Sequence, residues 1–179
     1  MKKTKIAALL LFIISFFLFL KAISLLSKRY VAITYKPSPG VEYKDEKETV
    51  PVRVSIGRLK LDLPIMPAGI VDGKWEENDS GVSYWSQSPV PGEVGNSVLY
   101  AHNWPNLFGS LKKLKVGDEI KVTLSNGEEK IFIVKETYSV TSDQSHILNQ
   151  TVDTRLTLYT CDGFLDLERF VVIASNSSI

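Results

Sequence analysis

The sequence predicts an all-β domain, a closed barrel or sandwich of seven or eight strands, standing behind an N-terminal transmembrane helix. Three observations lead there. Short alternations of apolar and polar residues recur from Val50 to Ala174, while helical periodicity is scarce. Turn dipeptides punctuate them at Pro91-Gly92, Gly95-Asn96, Gly117-Asp118, Asn126-Gly127 and Asp162-Gly163. A long apolar run occupies the first residues and nothing like it recurs.

That run is the first element. Lys2, Lys3 and Lys5 precede an apolar stretch from Ile6 to Leu20, and Ala22 to Leu26 continue it beyond Lys21. A spanning helix needs roughly 20 apolar residues. Ile6 to Leu26 reaches that length if Lys21 carries its ammonium out to the interface. A cleaved signal peptide would show small residues after the apolar core, and "LKAISLLSKRY" offers a poor version of that pattern. Positive charge ahead of the helix keeps the N-terminus in the cytoplasm. Residues 1–30 are therefore expected to be a cytoplasmic stub and signal anchor, single-pass in the plasma membrane. Residues 31–49, with Pro37, Pro39, Gly40 and "EYKDEKE", read as a linker. Residues 50–179 form the extracellular domain.

Within that domain "VPVRVSI" alternates. So does "LKLDLPI", with Leu59, Leu61, Leu63 and Ile65 on one face and Lys60 and Asp62 on the other. "NSVLYA" is a compact apolar strand. "EIKVTLSNGEEKIFIVKETYSV" places two strand runs around Asn126-Gly127, the pair suited to the positive φ of a tight hairpin. "RLTLYT" and "RFVVIA" complete the set. "LFGSLKKL", residues 107–114, has apolar residues three and four apart and reads as a short helix or turn.

Composition removes several function classes. Lys plus Arg number 21 against 20 Asp plus Glu, a net charge of +1, so no electrostatic footprint for nucleic acid is present. One Cys and two His without metal-ligand spacing argue against a protein-only zinc site. No phosphate-cradling glycine motif and no Gly-x-Ser-x-Gly elbow occurs. Glu76, Glu77 and Asp79 share one loop without calcium-loop spacing, so no cofactor is expected and the loop reads as solvated. Trp75, Tyr84 and Trp85 read as packing residues.

What remains is a thiol, an imidazole and a guanidinium at strand ends: Cys161, His102 and Arg169. A thiolate is the working nucleophile and forms more readily near positive charge. An imidazole takes the thiol proton and returns one to a leaving amine. An arginine stays protonated and offers donors to an oxyanion. The residues by themselves also admit a plainer account. Cys161 and His102 then pack, and the chain is a non-catalytic, membrane-anchored β module that binds a surface partner. His146 lies in the polar stretch "TSDQSHILNQ" with no catalytic context.

Five segments in order resemble the sortase family, the membrane-anchored cysteine transpeptidases of Gram-positive bacteria. "IGRLKLDLPIM" resembles the opening strand pair. "YWSQSPVPGEVGNSVLYAHN" resembles the segment that ends in the catalytic histidine. "FGSLKKLKVGDEIKV" resembles the Phe-x-x-Leu-x-x-Leu-x-x-Gly-Asp-x-Ile stretch. "LTLYTC" matches the Thr-Leu-x-Thr-Cys motif, and "ERFVVIA" the arginine-bearing strand after it. The resemblance covers about Val54 to Ala174. Ala101 stands where the family usually has Gly, and Asn103-Trp104-Pro105 is unlike the common loop after the histidine.

The resemblance implies an eight-stranded β-barrel with one or two short helices. It implies Cys161 as nucleophile, His102 as acid and base, and Arg169 as the oxyanion or substrate-orienting residue. It further implies substrates that are surface proteins bearing a C-terminal Leu-Pro-x-Thr-Gly-type sorting signal. The acyl acceptor would be an amine, on a peptidoglycan cross-bridge or a pilin lysine. No second apolar segment follows the last strand, which within the resemblance favours cell-wall attachment. The L,D-transpeptidases, also exported Cys–His enzymes, expect Ser-x-Gly-Cys, which "YTCDGF" lacks.

Overall fold

The computed structural model describes residues 11–23, 49–71 and 74–177. The chain divides into two units, Met1–Val31 and Ala32–Ile179. In the first, residues 11–23 are helical with exposed side chains. Among the described residues no helix is long and apolar enough to cross a membrane. Both flanks of the expected anchor, residues 1–10 and 24–30, and nearly all of the expected linker, 31–48, lie outside the described residues.

The described residues of the second unit carry ten strands: β1 (Pro51–Ile56), β2 (Leu61–Ala68), β3 (Ile70–Val71), β4 (Lys74–Trp75), β5 (Val82–Trp85), β6 (Gly95–Tyr100), β7 (Glu119–Leu124), β8 (Glu129–Thr141), β9 (Thr154–Asp162) and β10 (Glu168–Asn176). Eight close into a barrel in the order β1-β2-β5-β6-β9-β10-β8-β7, and β7 returns to β1. β3 and β4 form a separate two-stranded hairpin. Closure leaves the barrel no unpaired edge. Two neighbouring pairs are parallel, β2 with β5 and β6 with β9. A parallel pair needs a crossover. The β3–β4 hairpin lies in the first, and the β7–β8 hairpin in the second.

The β7–β8 hairpin turns where the sequence predicts. Gly127 has φ +87°, and its N–H donates to the Leu124 carbonyl at 2.9 Å. The 107–114 segment is a 3-10 turn over Phe108–Lys113 that buries Phe108 and Leu111. Other 3-10 turns span Gly57–Leu59, Ser145–Leu148 and Phe164–Asp166. Leu59 was expected on the strand that holds Leu61. It belongs instead to the Gly57–Leu59 turn, and Lys60 adopts φ +55° to reverse the chain.

Alternation along β9 and β10 sorts side chains between two cores. Leu156, Leu158, Val172 and Ala174 join Val54, Leu99, Ile120 and Phe132 in the interior. Tyr159, Val171 and Ile173 face outward with Val98, Tyr100 and Trp85. The outer cluster is roofed by Ile147 and Leu148 of the Ser145–Leu148 turn and flanked by Trp75. β6 is buried on both faces for this reason. Asn96 ties the roof down: its amide donates to the Ile147 carbonyl at 2.9 Å, and its Oδ1 accepts from Thr157 Oγ1 at 2.6 Å.

Candidate active site

Cys161 and Arg169 are direct cross-strand partners in the β9–β10 ladder. Residues opposed in an antiparallel pair have Cβ atoms roughly 4.5–5.5 Å apart on one face of the sheet. Alternation puts both in the row of Tyr159 and Val171, so the pair lies on the outer wall at the strand ends, not inside the barrel mouth. The connection between them is tight. Gly163, Leu165 and Asp166 all have positive φ, at +74°, +55° and +57°. The Arg169 side chain braces this loop, because Nη1 donates to the carbonyls of Asp166 (2.7 Å) and Glu168 (2.8 Å). Cys161 is partly buried and is not in a disulfide.

His102 reaches the same place from β6. The parallel β6–β9 register ends at Tyr100 opposite Tyr159. The Ala101 N–H then donates to the Tyr159 carbonyl at 3.4 Å, and Thr160 Oγ1 donates to the Ala101 carbonyl at 2.8 Å. His102 is the next residue after this contact, as Cys161 is the next after Thr160. Tyr100 and Tyr159, each two residues earlier, stack in the same row at 5.4 Å. Burial pushes both phenols above their usual range. Cys161 and Arg169 lie at the paired ends of β9 and β10, and His102 follows two residues after the end of β6, the neighbour of β9. His146 is not among them. It is exposed on the Ser145–Leu148 turn, over the opposite end of β6.

The acidic loop after β4 departs from expectation: it is not simply solvated. Asp79 Oδ1 lies 3.1 Å from His102 Nε2, and Glu77 Oε2 lies 3.5 Å from Nδ1. Glu76 turns away, and its carboxylate accepts the Gly69 N–H at 2.8 Å. The His102 ring also stacks on Trp104, centroids 4.4 Å apart and planes 12° apart. The backbone that carries Trp104 is pressed against Gly109, where a Cβ would stand 2.6 Å from the Trp104 carbonyl oxygen. Trp75, Tyr84 and Trp85 pack, as their reading predicts, and Tyr84 donates its hydroxyl to the Ser88 carbonyl at 2.7 Å. Among the described residues, no group of three or more His, Cys, Asp or Glu is arranged to hold a metal ion.

Asp162 follows Cys161 and points the opposite way, inward. Lys112 Nζ, on the Phe108–Lys113 turn, meets its carboxylate at 2.6 Å. Burial by itself would raise this carboxyl, but Lys112, the Gly163 amide and Ser139 outweigh it and hold it below its ordinary 3.8. The depressed value fixes the sign of the linkage. The contribution to stability is complete above pH 3.8 and is lost as pH falls through the lowered folded value. Lys112→Ala strands a buried carboxylate and is expected to cost about 1–3 kcal/mol at pH 7 in urea unfolding. The gap between wild type and variant should close in acid. A gap that stays constant down to pH 2 would refute this role for the ion pair.

Glu77, Asp79, Trp104 and Lys112 were not legible as site residues. Glu77 and Asp79 sit in a loop distant in sequence from His102, and nothing local marks them. Trp104 is close to His102 in sequence, but only the folded loop turns its ring onto the imidazole.

A family model described as "Sortase domain" matches residues 54–177. Sortase D of Bacillus subtilis is 31% identical over 111 residues, covering 62% of this chain and 54% of that protein. Sortase A of Listeria monocytogenes is 36% identical over 84 residues, covering 44% of this chain and 37% of that protein. The matched region thus spans about half or less of the length of these curated relatives. The crystal structure of sortase C1 from Streptococcus agalactiae superposes with TM-score 0.63 at 26% identity, over 90% of this chain and 88% of that one.

Proposed function

The chain belongs to the sortase family, and on that premise we propose that it is a cysteine transpeptidase. It cleaves a Leu-Pro-x-Thr-Gly-type sorting signal and transfers the acyl protein to an amine. The observation that carries this reading is the register of β9. It pairs Cys161 with Arg169 on one side, and on the other it pairs Tyr159 with Tyr100, two residues before His102.

The chemistry balances with these three groups. The thiol proton passes to His102, and Sγ attacks the carbonyl carbon of the scissile bond. The oxyanion that develops is held by Arg169. Nη1 is committed to the loop carbonyls, so in this reading Nε and Nη2 supply the donors. The C–N bond breaks, the leaving amine takes a proton from His102, and a thioester remains on Cys161. An incoming amine attacks that thioester, gives its proton to the imidazole and expels the thiolate. The loop braced by Arg169 keeps the guanidinium near Cys161 before any substrate arrives, which lowers the reorganisation required in the transition state.

The substrates in this reading are surface proteins with a C-terminal sorting signal, and the acceptor is a cross-bridge amine or a pilin lysine. The apolar run Ile6–Leu26 anchors the chain in the plasma membrane, with the N-terminus in the cytoplasm and the barrel outside. The reaction uses no cofactor.

The test is incubation of the full-length chain in detergent with fluorogenic sorting-signal peptides and an amine. Cleavage is expected from wild type, with ligated product by mass. Cys161→Ala, His102→Ala and Arg169→Ala should fall to background or near it. Wild type and variants equally inert across a broad peptide library would instead mark a non-catalytic β module.

A further inference from the structure

We propose that Glu77 is a positioning residue for His102, and that Asp79 is a displaceable occupant of Nε2, the nitrogen through which His102 exchanges protons. This rests on the reading of His102 as the proton carrier.

An imidazole has two ring nitrogens and no third site. Here Nδ1 faces Glu77 Oε2 at 3.5 Å and Nε2 faces Asp79 Oδ1 at 3.1 Å. With a carboxylate against each nitrogen, a group that exchanges a proton through Nε2 displaces Asp79 first.

The two carboxylates are anchored differently. Glu77 follows Glu76, whose N–H donates to the Gly69 carbonyl at 3.0 Å and whose carbonyl accepts the Tyr100 hydroxyl at 2.5 Å. Trp75, just before, packs edge-on against Tyr100 at 4.8 Å and Tyr159 at 6.0 Å. The backbone behind Glu77 is therefore fixed to the two strands that carry His102 and Cys161. Asp79 lies further out. Asn78 is held through Met66 Sδ at 3.0 Å, yet the Asp79 side chain itself is 82% exposed, against 45% for Glu77. An ion pair that exposed resists release by a factor of roughly five at most. With Trp104 stacked on its face, the ring keeps its plane and its Nδ1 partner while Nε2 is released.

The two carboxylates then have opposite effects. The chain has one cysteine, so iodoacetamide alkylation of the full-length protein reads Cys161 alone and needs no peptide. A thiol whose proton His102 takes reacts faster. Asp79→Ala should raise the alkylation rate by roughly two- to fivefold at low salt. Added salt should raise the wild-type rate relative to that of the variant, because it screens the Asp79 contact that the variant lacks. In a His102→Ala background the Asp79→Ala effect should vanish. Glu77→Ala should lower the rate several-fold. Glu77→Gln, whose amide oxygen accepts from Nδ1–H in the same place, should restore most of it.

An Asp79→Ala effect that is absent, or that persists without His102, would overturn the proposal. So would a Glu77→Ala rate equal to wild type, or one that Gln does not recover. Peptide cleavage is a separate arm. Alkylation that follows the expected pattern with no peptide cleaved supports the Glu77 and Asp79 roles and refutes the transpeptidase reading. Cleavage with unresponsive alkylation does the reverse.

Discussion

Cys161→Ala is expected to leave sorting-peptide cleavage at background, a loss on the order of 10⁴-fold or more when the nucleophile of a covalent mechanism is removed. No neighbouring group stands in for it. Thr160, the adjacent hydroxyl, is buried and spends its proton on the Ala101 carbonyl at 2.8 Å. Along the ladder, alternation turns it to the interior while Cys161 faces out. Cys161→Ser should recover little, because the site is built to stabilise a thiolate and a serine hydroxyl titrates far higher. The same substitutions should scarcely move the melting temperature, since the side chain is small and only partly buried. Activity and melting measured on one sample therefore separate chemistry from folding. Cleavage by Cys161→Ala that survives alkylating reagents would remove Cys161 from the mechanism.

His102→Ala is expected to lower kcat by about 10²–10⁴-fold, the range typical of a positioned acid and base. The loss should fall mainly on kcat, because His102 acts on the bonds that change and not on the peptide's distant residues. Stability should change little. The contacts of the ring are two partly exposed carboxylates and one aromatic face. Lys112→Ala makes the contrast: it should cost stability first, and activity only through the end of β9 that it pins. A His102→Ala enzyme within tenfold of wild-type kcat would assign proton transfer elsewhere.

β1, β2, β7 and β8 were legible because they present one buried and one less buried face, and β6, β9 and β10, buried on both, were legible as longer apolar or β-branched runs. β7 reads Glu-Ile-Lys-Val-Thr-Leu, with Ile120, Val122 and Leu124 buried. β5 escaped because it is short as well as buried on both faces, so no alternation marks its four residues, Val82 to Trp85. The β3–β4 pair is two residues per strand, too short for any pattern to register.

By itself the sequence determined the repeated strands, the hairpin at Asn126-Gly127, the family, and the three residues proposed for the chemistry. Each of these is written in local order: a period, a dipeptide, or a motif of contiguous residues. Tertiary structure alone decided that Cys161 and Arg169 face each other on the outer wall, that Asp79 and Glu77 sit on His102, and that Lys112 neutralises Asp162. Those facts depend on barrel closure and on loops that return from residues distant along the chain. A charge in such a loop carries no mark of the partner it meets, because the attraction arises only once the intervening strands have paired.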